Sequence, residues 1–390
     1  KGIVSMKIGV ICFLLAPDLG GIMQYFFHLF DALLAGDNAN EYIFFYFPHN
    51  IEELSRLKSD RWRTSAILLD KPRDIYRHLK KIDLYFCPFS TLSPRPVPMP
   101  AVYTIPDIQE VYCPHFFTNY LIVARRYHYS GSSVMADRVI THSLFTKDSL
   151  VRFHGIPPDK VVVAHHCVDE RFYRAGEIMR APGIQLPENF IFYPANQWLH
   201  KNHDLLLRAL SWLNKNKNTR VNLVLTGFGK EDGYPLQGKL KEYGIAQQVY
   251  HLGYVAVEEL AYIYVHAQFL VFPSLFEGFG IPLVEAMASG CPILASRATS
   301  LPEVGGEAAC YFKPASAEEL GMAILHLLND AELRADLAAR GRKRAKLFSA
   351  DKLASRHLEA FSQAAASFSM RKYYWYRFVY KYYHAGKILM

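Results

Sequence analysis

The sequence predicts an α/β protein built from two parallel, doubly wound domains. Three observations lead there. Short apolar runs of strand length alternate with helical patterns along most of the chain, the pattern of parallel strands joined by crossover helices. The alternation comes in two series, separated by a stretch of mixed charge and low apolar regularity, DERFYRAGEIMRAPGIQL, at 169–186. The length, 390 residues, also exceeds what one hydrophobic core usually serves.

Taken in order, the first series reads IGVICFLL, a helix from about Ile22, then YIFFYF, AILL, LYFC, AVYTI, RVITHS and VVVAH. Between the fourth and fifth strands, SPRPVPMP alternates Pro94, Pro96, Pro98 and Pro100, a stiff extended connector that no helix tolerates. The second series reads FIFYPA, VNLVLTG, QVYHLG, FLVFPS, PILAS and ACYF. Helical patterns follow from Ala315 to Phe348 and from Asp351 to Ala366. The expected division is a Rossmann-like domain at 1–170, a linker at 171–186 and a second Rossmann-like domain at 187–350. The remainder, 351–390, is expected to be a helix and tail crossing back to the first domain. Residues 1–5 precede the first strand, which opens at Met6, and are expected to be a short leading stretch. Two such domains would offer ligands a central cleft at the carboxyl ends of their strands.

Composition narrows the class. With 51% apolar and 21% charged residues the balance is that of a soluble globular chain. No run approaches the roughly 18 apolar residues of a membrane-spanning helix, and the start does not resemble a secretory signal. Cys12, Cys87, Cys113, Cys167, Cys291 and Cys310 show no paired or metal-ligand spacing, and several sit inside apolar strands. A reducing, cytoplasmic location is the expectation. Of the net charge of +8, +5 lies in 371–390, leaving +3 for the rest, so a nucleic-acid partner is not expected.

The stretch FPSLFEGFGIPLVEAMASGCPILAS, 272–296, carries the chemistry. It reads as a buried strand, a glycine-rich loop, a short helix and another buried strand. Pro282 suits the start of the helix and Gly290 the residue just past its end. Gly278 and Gly280 leave backbone N–H groups open at the positive end of that helix, a place for an anion. Glu277 and Glu285 bracket the segment, eight residues apart, as acceptors for hydroxyl groups.

The string E-G-F-G-I-P-L-V-E-A-M-A-S-G-C-P-I-L-A-S resembles the E-x7-E signature of retaining glycosyltransferases of the GT-B class, family 4. The resemblance implies the GT-B fold, two Rossmann-like domains facing a central cleft. It implies transfer of a sugar from a nucleotide-diphosphate sugar, with retention, to a saccharide or lipid-linked saccharide acceptor in surface polysaccharide or glycolipid assembly. Glu277 would hold hydroxyls of the donor sugar and Glu285 the ribose diol. The donor segment would run Glu277, Gly278, Phe279, Gly280, Ile281 to Glu285. The chain contains no D-x-D triplet, so metal-bridged diphosphate binding is not expected, nor is any cofactor. GDP-mannose and UDP-sugars are the donors that family habit favours.

Other segments extend the resemblance. Asp18-Leu19-Gly20-Gly21 follows the first strand and opens a helix, where the family carries a Gly-Gly loop. Gly20 and Gly21 would let the backbone approach a second ligand or the donor's phosphates, although a tight turn accounts for them equally well. In PANQWLHKNHD, Lys201 stands where the family has a phosphate-binding lysine, flanked by His200 and His203. Asn196 occupies the place of the arginine that often precedes that lysine. Gly227, Gly229 and Gly233 in LVLTGFGKEDG miss the dinucleotide fingerprint G-x-G-x-x-G by one residue, and Gly227 and Gly229 would leave room for base or ribose. Tyr254, ending HLGY, would bring its backbone to the nucleobase, and a strand-end turn explains it as well. Glu303 in LPEVGG sits near a helix start, where the helix dipole accounts for it.

TIPDIQEV resembles the acceptor-side motif, with Asp107 and Gln109 in place. Pro106 and Glu110 stand where the family has histidines, and His115 is the nearest alternative. ADRVITHSLFTKDSLVRFHGIPPDKVVVAHHCVDERF, 136–172, resembles the strand–helix–strand that closes the family's first domain; His165 and His166 are assigned no role. Glu277, Lys201 and Asp107 are therefore the expected catalytic residues. Two other readings remain open at this stage: a nucleotide-sugar-converting enzyme on the same fold, and a non-catalytic nucleotide-sugar-binding relative. The tail RKYYWYRFVYKYYHAGKILM holds eight aromatic and five basic residues. It suits the inner face of a membrane or packing across the first domain.

Overall fold

The computed structural model describes residues 5–16, 20–177, 183–229 and 234–378. Asp18, Leu19, Gly233, the middle of the expected linker and the tail beyond Phe378 lie outside the described residues. The chain divides into two units: 1–111 with 117–167 and 350–390, and 112–116 with 168–349.

The first unit holds a seven-stranded parallel sheet, ordered β3-β2-β1-β4-β5-β6-β7. Its strands are β1 (Lys7–Ile11), β2 (Glu41–Tyr46), β3 (Ala66–Leu68), β4 (Leu84–Cys87), β5 (Ala101–Thr104), β6 (Arg138–Thr141) and β7 (Val161–Val163). β4 and β5 are buried at every residue, as strands covered by helices on both faces must be. The order runs outward from β1 in one direction and from β4 in the other. Their carboxyl ends form a switch point, and the Gly20–Gly21 turn follows β1 there. The helix Ala350–Ser367 closes this unit by setting Leu353, Phe361 and Ala364 into the core beside Phe26 and Phe86. The Phe86 and Phe361 rings meet edge to face, 5.0 Å between centroids.

The second unit holds a six-stranded parallel sheet, ordered β10-β9-β8-β11-β12-β13. The strands are β8 (Phe190–Pro194), β9 (Asn222–Thr226), β10 (Val249–His251), β11 (Leu270–Phe272), β12 (Ile293–Ser296) and β13 (Cys310–Phe312). Its switch point lies between β8 and β11, so the loops that follow these two strands emerge side by side. One carries Asn196 to Lys201 and the other Ser274 to Gly280.

Two expectations change. The helical pattern from Ala315 to Phe348 is two helices, Ala317–Asn329 and Ala331–Ala345, because the Asp330 side chain accepts the Leu333 N–H at 2.8 Å and starts a new helix. The segment after Asp169 opens with a helical turn, Glu170–Tyr173, whose Phe172 enters the second unit's core.

Candidate functional site

The helix Ile281–Ser289 fixes the site's geometry. Gly280 caps its start at φ 102°, Pro282 occupies its first turn, and Gly290 closes its end at φ 71°. A side chain at Gly280 would be strained in that backbone and would press a Cβ within 2.7 Å of Leu301. Leu283, Val284, Ala286 and Met287 are buried, so packing sets where the N-terminus points. Its positive end lies beside the Glu277–Phe279 loop.

Glu277 is held from behind. Its N–H donates to the Thr299 hydroxyl oxygen at 2.9 Å, and that hydroxyl donates to the Glu277 carbonyl at 2.8 Å. The buried Ser300 hydroxyl lies 2.9 Å from the same carbonyl and 3.0 Å from that of Phe279. Thr299 has φ 47°, a left-handed conformation unusual for a β-branched residue. These hydrogen bonds pin the loop backbone while leaving the Glu277 carboxylate to act. Neither residue was singled out from the sequence; the only cue was two hydroxyls ahead of LPEVGG.

The carboxylate meets Lys201, whose Nζ lies 2.7 Å from Glu277 Oε1, with both side chains largely buried. The two loops are stitched together as well. Leu275 N–H donates to the His200 carbonyl at 2.8 Å, Asn202 Nδ2 to the Pro273 carbonyl at 3.1 Å, and the Tyr193 hydroxyl to the Lys201 carbonyl at 2.6 Å. The Lys201 ammonium also stands 5.5 Å from the Phe272 ring centroid. His200 and His203 are both pushed down to about 3 by burial and, secondarily, by the Lys201 cation. At neutral pH they are uncharged, so Lys201 is the cation of this corner.

Glu285 lies on the interior side of the helix, 4% exposed. The Tyr264 hydroxyl donates to its Oε2 at 2.8 Å. Tyr264 is itself fully buried, and burial, then the Glu285 charge, holds its hydroxyl protonated and donating. Phe279 is also buried, its ring edge to face with Phe348, so only its backbone can serve a ligand.

A second cluster forms where β8, β9 and β10 end. Asn196 Oδ1 accepts the Phe228 N–H at 2.9 Å, the Gly227 N–H donates to the Gly253 carbonyl at 2.8 Å, and His251 Nε2 lies 2.9 Å from the Gly227 carbonyl. Gly227 has φ 109°, and a Cβ there would come within 2.7 Å of the Ala195 backbone. Close approach of neighbouring loops is thus what requires this glycine. Tyr254 is 68% exposed and stacks on exposed Phe228, with centroids 5.5 Å apart and planes 7° from parallel. The sequence reading looked only to the Tyr254 backbone and missed the ring pair.

Gly20, Gly21 and Asp107 belong to the first unit. Gly20 takes φ 54° and caps the helix Gly21–Gly36. Asp107 Oδ1 accepts the Gln109 N–H at 3.1 Å. Glu110, in one of the family's histidine positions, is buried and ion-paired with Arg125 at 3.0 Å. Burial raises its carboxyl, opposed by Arg125. His115 falls in the second unit, its ring against Phe116. Among the described residues no three His, Cys, Asp or Glu side chains gather as a metal site, and no helix is long and apolar enough to cross a membrane.

Comparison with known proteins places the chain in a family. A model described as "Glycosyl transferases group 1" matches residues 175–344. The chain is 31% identical over 272 residues to the O-antigen chain mannosyltransferase B of Escherichia coli, covering 67% of this chain and 70% of that protein. It is 36% identical over 165 residues to the MMP alpha-(1->4)-mannosyltransferase of Mycolicibacterium hassiacum, covering 41% of this chain and 39% of that one. A crystal structure of a glycosyltransferase from Rickettsia africae shares the fold, with a TM-score of 0.70 over 93% of this chain and 100% of that one at 15% identity.

Proposed function

The chain belongs to the glycosyl transferases group 1 family, with the GT-B fold, and from that premise we propose that it transfers mannose from GDP-mannose with retention at the anomeric carbon. It is a glycosyltransferase, moving a sugar from a nucleotide-diphosphate sugar to a saccharide or lipid acceptor. Both relatives described above are mannosyltransferases, which is what favours mannose over the sugars of UDP donors. The O-antigen relative favours a growing polysaccharide or lipid-linked saccharide as acceptor.

One observation carries the reading: Lys201 and Glu277 converge beside a helix N-terminus at the switch point of the second sheet. A lone carboxylate there would repel a diphosphate. Pairing with Lys201 cancels that charge, and the Gly278–Ile281 backbone and the helix end add positive potential for the leaving group. In transfer, the bond between the anomeric carbon and the donor phosphate oxygen breaks, and a bond to the acceptor oxygen forms on the same face. The acceptor hydroxyl's proton passes to the departing phosphate, so no protein base is needed. Glu277 accepts hydrogen bonds from the donor sugar, and Glu285, oriented by Tyr264, accepts them from the ribose diol. The Phe228–Tyr254 pair offers a face on which the base stacks. Asn196 and Gly227 shape that loop; within the first unit, on this reading, the Gly20–Gly21 turn goes to phosphate and Asp107 to the acceptor.

The test is a thermal-shift panel of nucleoside diphosphates, followed by nucleotide release from GDP-mannose and UDP-sugars with and without saccharide acceptors. Stabilisation by GDP and acceptor-dependent GDP release are expected, with an α-linked product by NMR. A shift with UDP alone overturns the donor, and an inverted linkage overturns retention.

A further inference from the structure

In the first unit, residues 370–378 form a helical stretch whose first turn includes the Tyr373 N–H donating to the Ser369 carbonyl at 3.1 Å. The stretch has two unlike faces. Lys372, Tyr373 and Tyr376 line a shallow pocket with Met99, Met135 and Asp137, and of the three Tyr373 and Tyr376 are half-buried while Lys372 is exposed. That pocket lies at the amino-terminal edge of β5 and β6, opposite the switch point. Arg371, Tyr374, Trp375 and Phe378 recur at helical spacing on the other face. Tyr374, Trp375 and Phe378 are 59%, 62% and 55% exposed, and the last two rings stack on each other at 6.2 Å.

Charge says what this face meets. Residues 371–378 contain Arg371, Lys372 and Arg377 and no acid. The surface beneath adds Arg138 and Lys160, against Asp137 and Asp159. Tyrosine and tryptophan rings favour a boundary that is apolar on one side and wet on the other, while cations beside them favour anionic headgroups. We propose that the outward face of 370–378 is an interfacial contact with a bilayer carrying anionic lipids, held in register by the docked face of Tyr373 and Tyr376. The contact deepens the glycosyltransferase reading, on which its purpose rests, because a lipid-linked acceptor is met at a membrane surface. It needs no spanning helix: the stretch lies flat, its rings at headgroup depth.

The experiment is flotation of the full chain, without nucleotide, on vesicles of phosphatidylcholine alone and of phosphatidylcholine mixed with phosphatidylglycerol. Binding is expected only to the mixed vesicles. Trp375→Ala with Phe378→Ala should weaken it about tenfold or more, and Arg371→Gln with Arg377→Gln about 25-fold. Melting temperature and nucleotide release with a soluble saccharide acceptor should stay as in the parent chain in both variants. Equal binding by parent and variants, equal binding to both vesicle types, or no binding at all overturns the proposal. So does a homodimer that the Trp375/Phe378 variant abolishes, since the face then belongs to a second copy. Loss of transfer with vesicle binding intact would instead strike the glycosyltransferase reading and leave this surface standing.

Discussion

Lys201 Nζ sits 2.7 Å from Glu277 Oε1, joining a cation and a carboxylate that are 76 residues apart. Each makes the other tolerable in a largely buried corner. On the proposed function, the pair would give a diphosphate an approach free of net negative charge.

Breaking that pair from one side should be costly. Lys201→Ala leaves Glu277 buried without its cation and should lower stability by about 3 kcal/mol. Glu277→Gln should keep the fold and abolish turnover. The double variant should recover much of the lost stability and none of the activity. Urea unfolding with steady-state kinetics on all three tests this, and additive stability losses would contradict the coupling.

Glu285→Ala should weaken nucleoside diphosphate binding most among the site variants. Tyr264→Phe should weaken it less, by about 1 kcal/mol, since it removes only the hydroxyl that orients the carboxylate. Titration calorimetry with GDP measures both. A Tyr264→Phe loss equal to that of Glu285→Ala would assign the binding to the tyrosine instead.

Thr299→Ala and Ser300→Ala loosen the backbone that presents Glu277. Each should cost about 1–2 kcal/mol of stability and lower kcat with little change in KM. A rise in KM at constant kcat would place these hydroxyls on the substrate rather than behind the loop.

Acid should destabilise the protein through its buried histidines. Burial lowers His142 to about 4, His357 to about 3, and His166 well below the ordinary value, beside His200 and His203 at about 3. The Tyr25 hydroxyl lies 2.6 Å from His357 Nε2, and the His142 and His166 rings are 4.0 Å apart. In each case the folded value lies below the unfolded one, so the unfolded chain binds more protons. Stability is full above about pH 6.5 and falls as pH drops toward the folded values, by about 1.4 kcal/mol per histidine for each pH unit. Melts at about pH 7.5 and pH 5.5 should show a large drop, reduced in His142→Phe. A flat profile would contradict neutral burial.

Much of the fold was legible because parallel strands buried on both faces are continuous apolar runs, and all of the strands named from the sequence are present. Likewise the helix Ile281–Ser289 announced itself through Pro282 and Gly290. The break at Asp330 did not, since no glycine or proline marks it and an aspartate inside a charged helical pattern looks like surface. Asn196 and Gly227 were picked out for a ligand, yet their immediate work is to hold neighbouring loops together.

From its order of residues alone this chain determined which segments become strands, where the helix beside Glu277 starts and stops, and that two carboxylates flank it. Those are local properties, written in apolar periodicity and in the backbone preferences of glycine and proline. Tertiary structure alone decided that Lys201 faces Glu277, that Tyr264 seats Glu285, that Thr299 and Ser300 clamp the loop, and that Phe228 stacks on Tyr254. For Lys201 and Glu277 the reason is the sheet order: β8 and β11, distant in sequence, lie side by side at the switch point, so the loops that follow them meet.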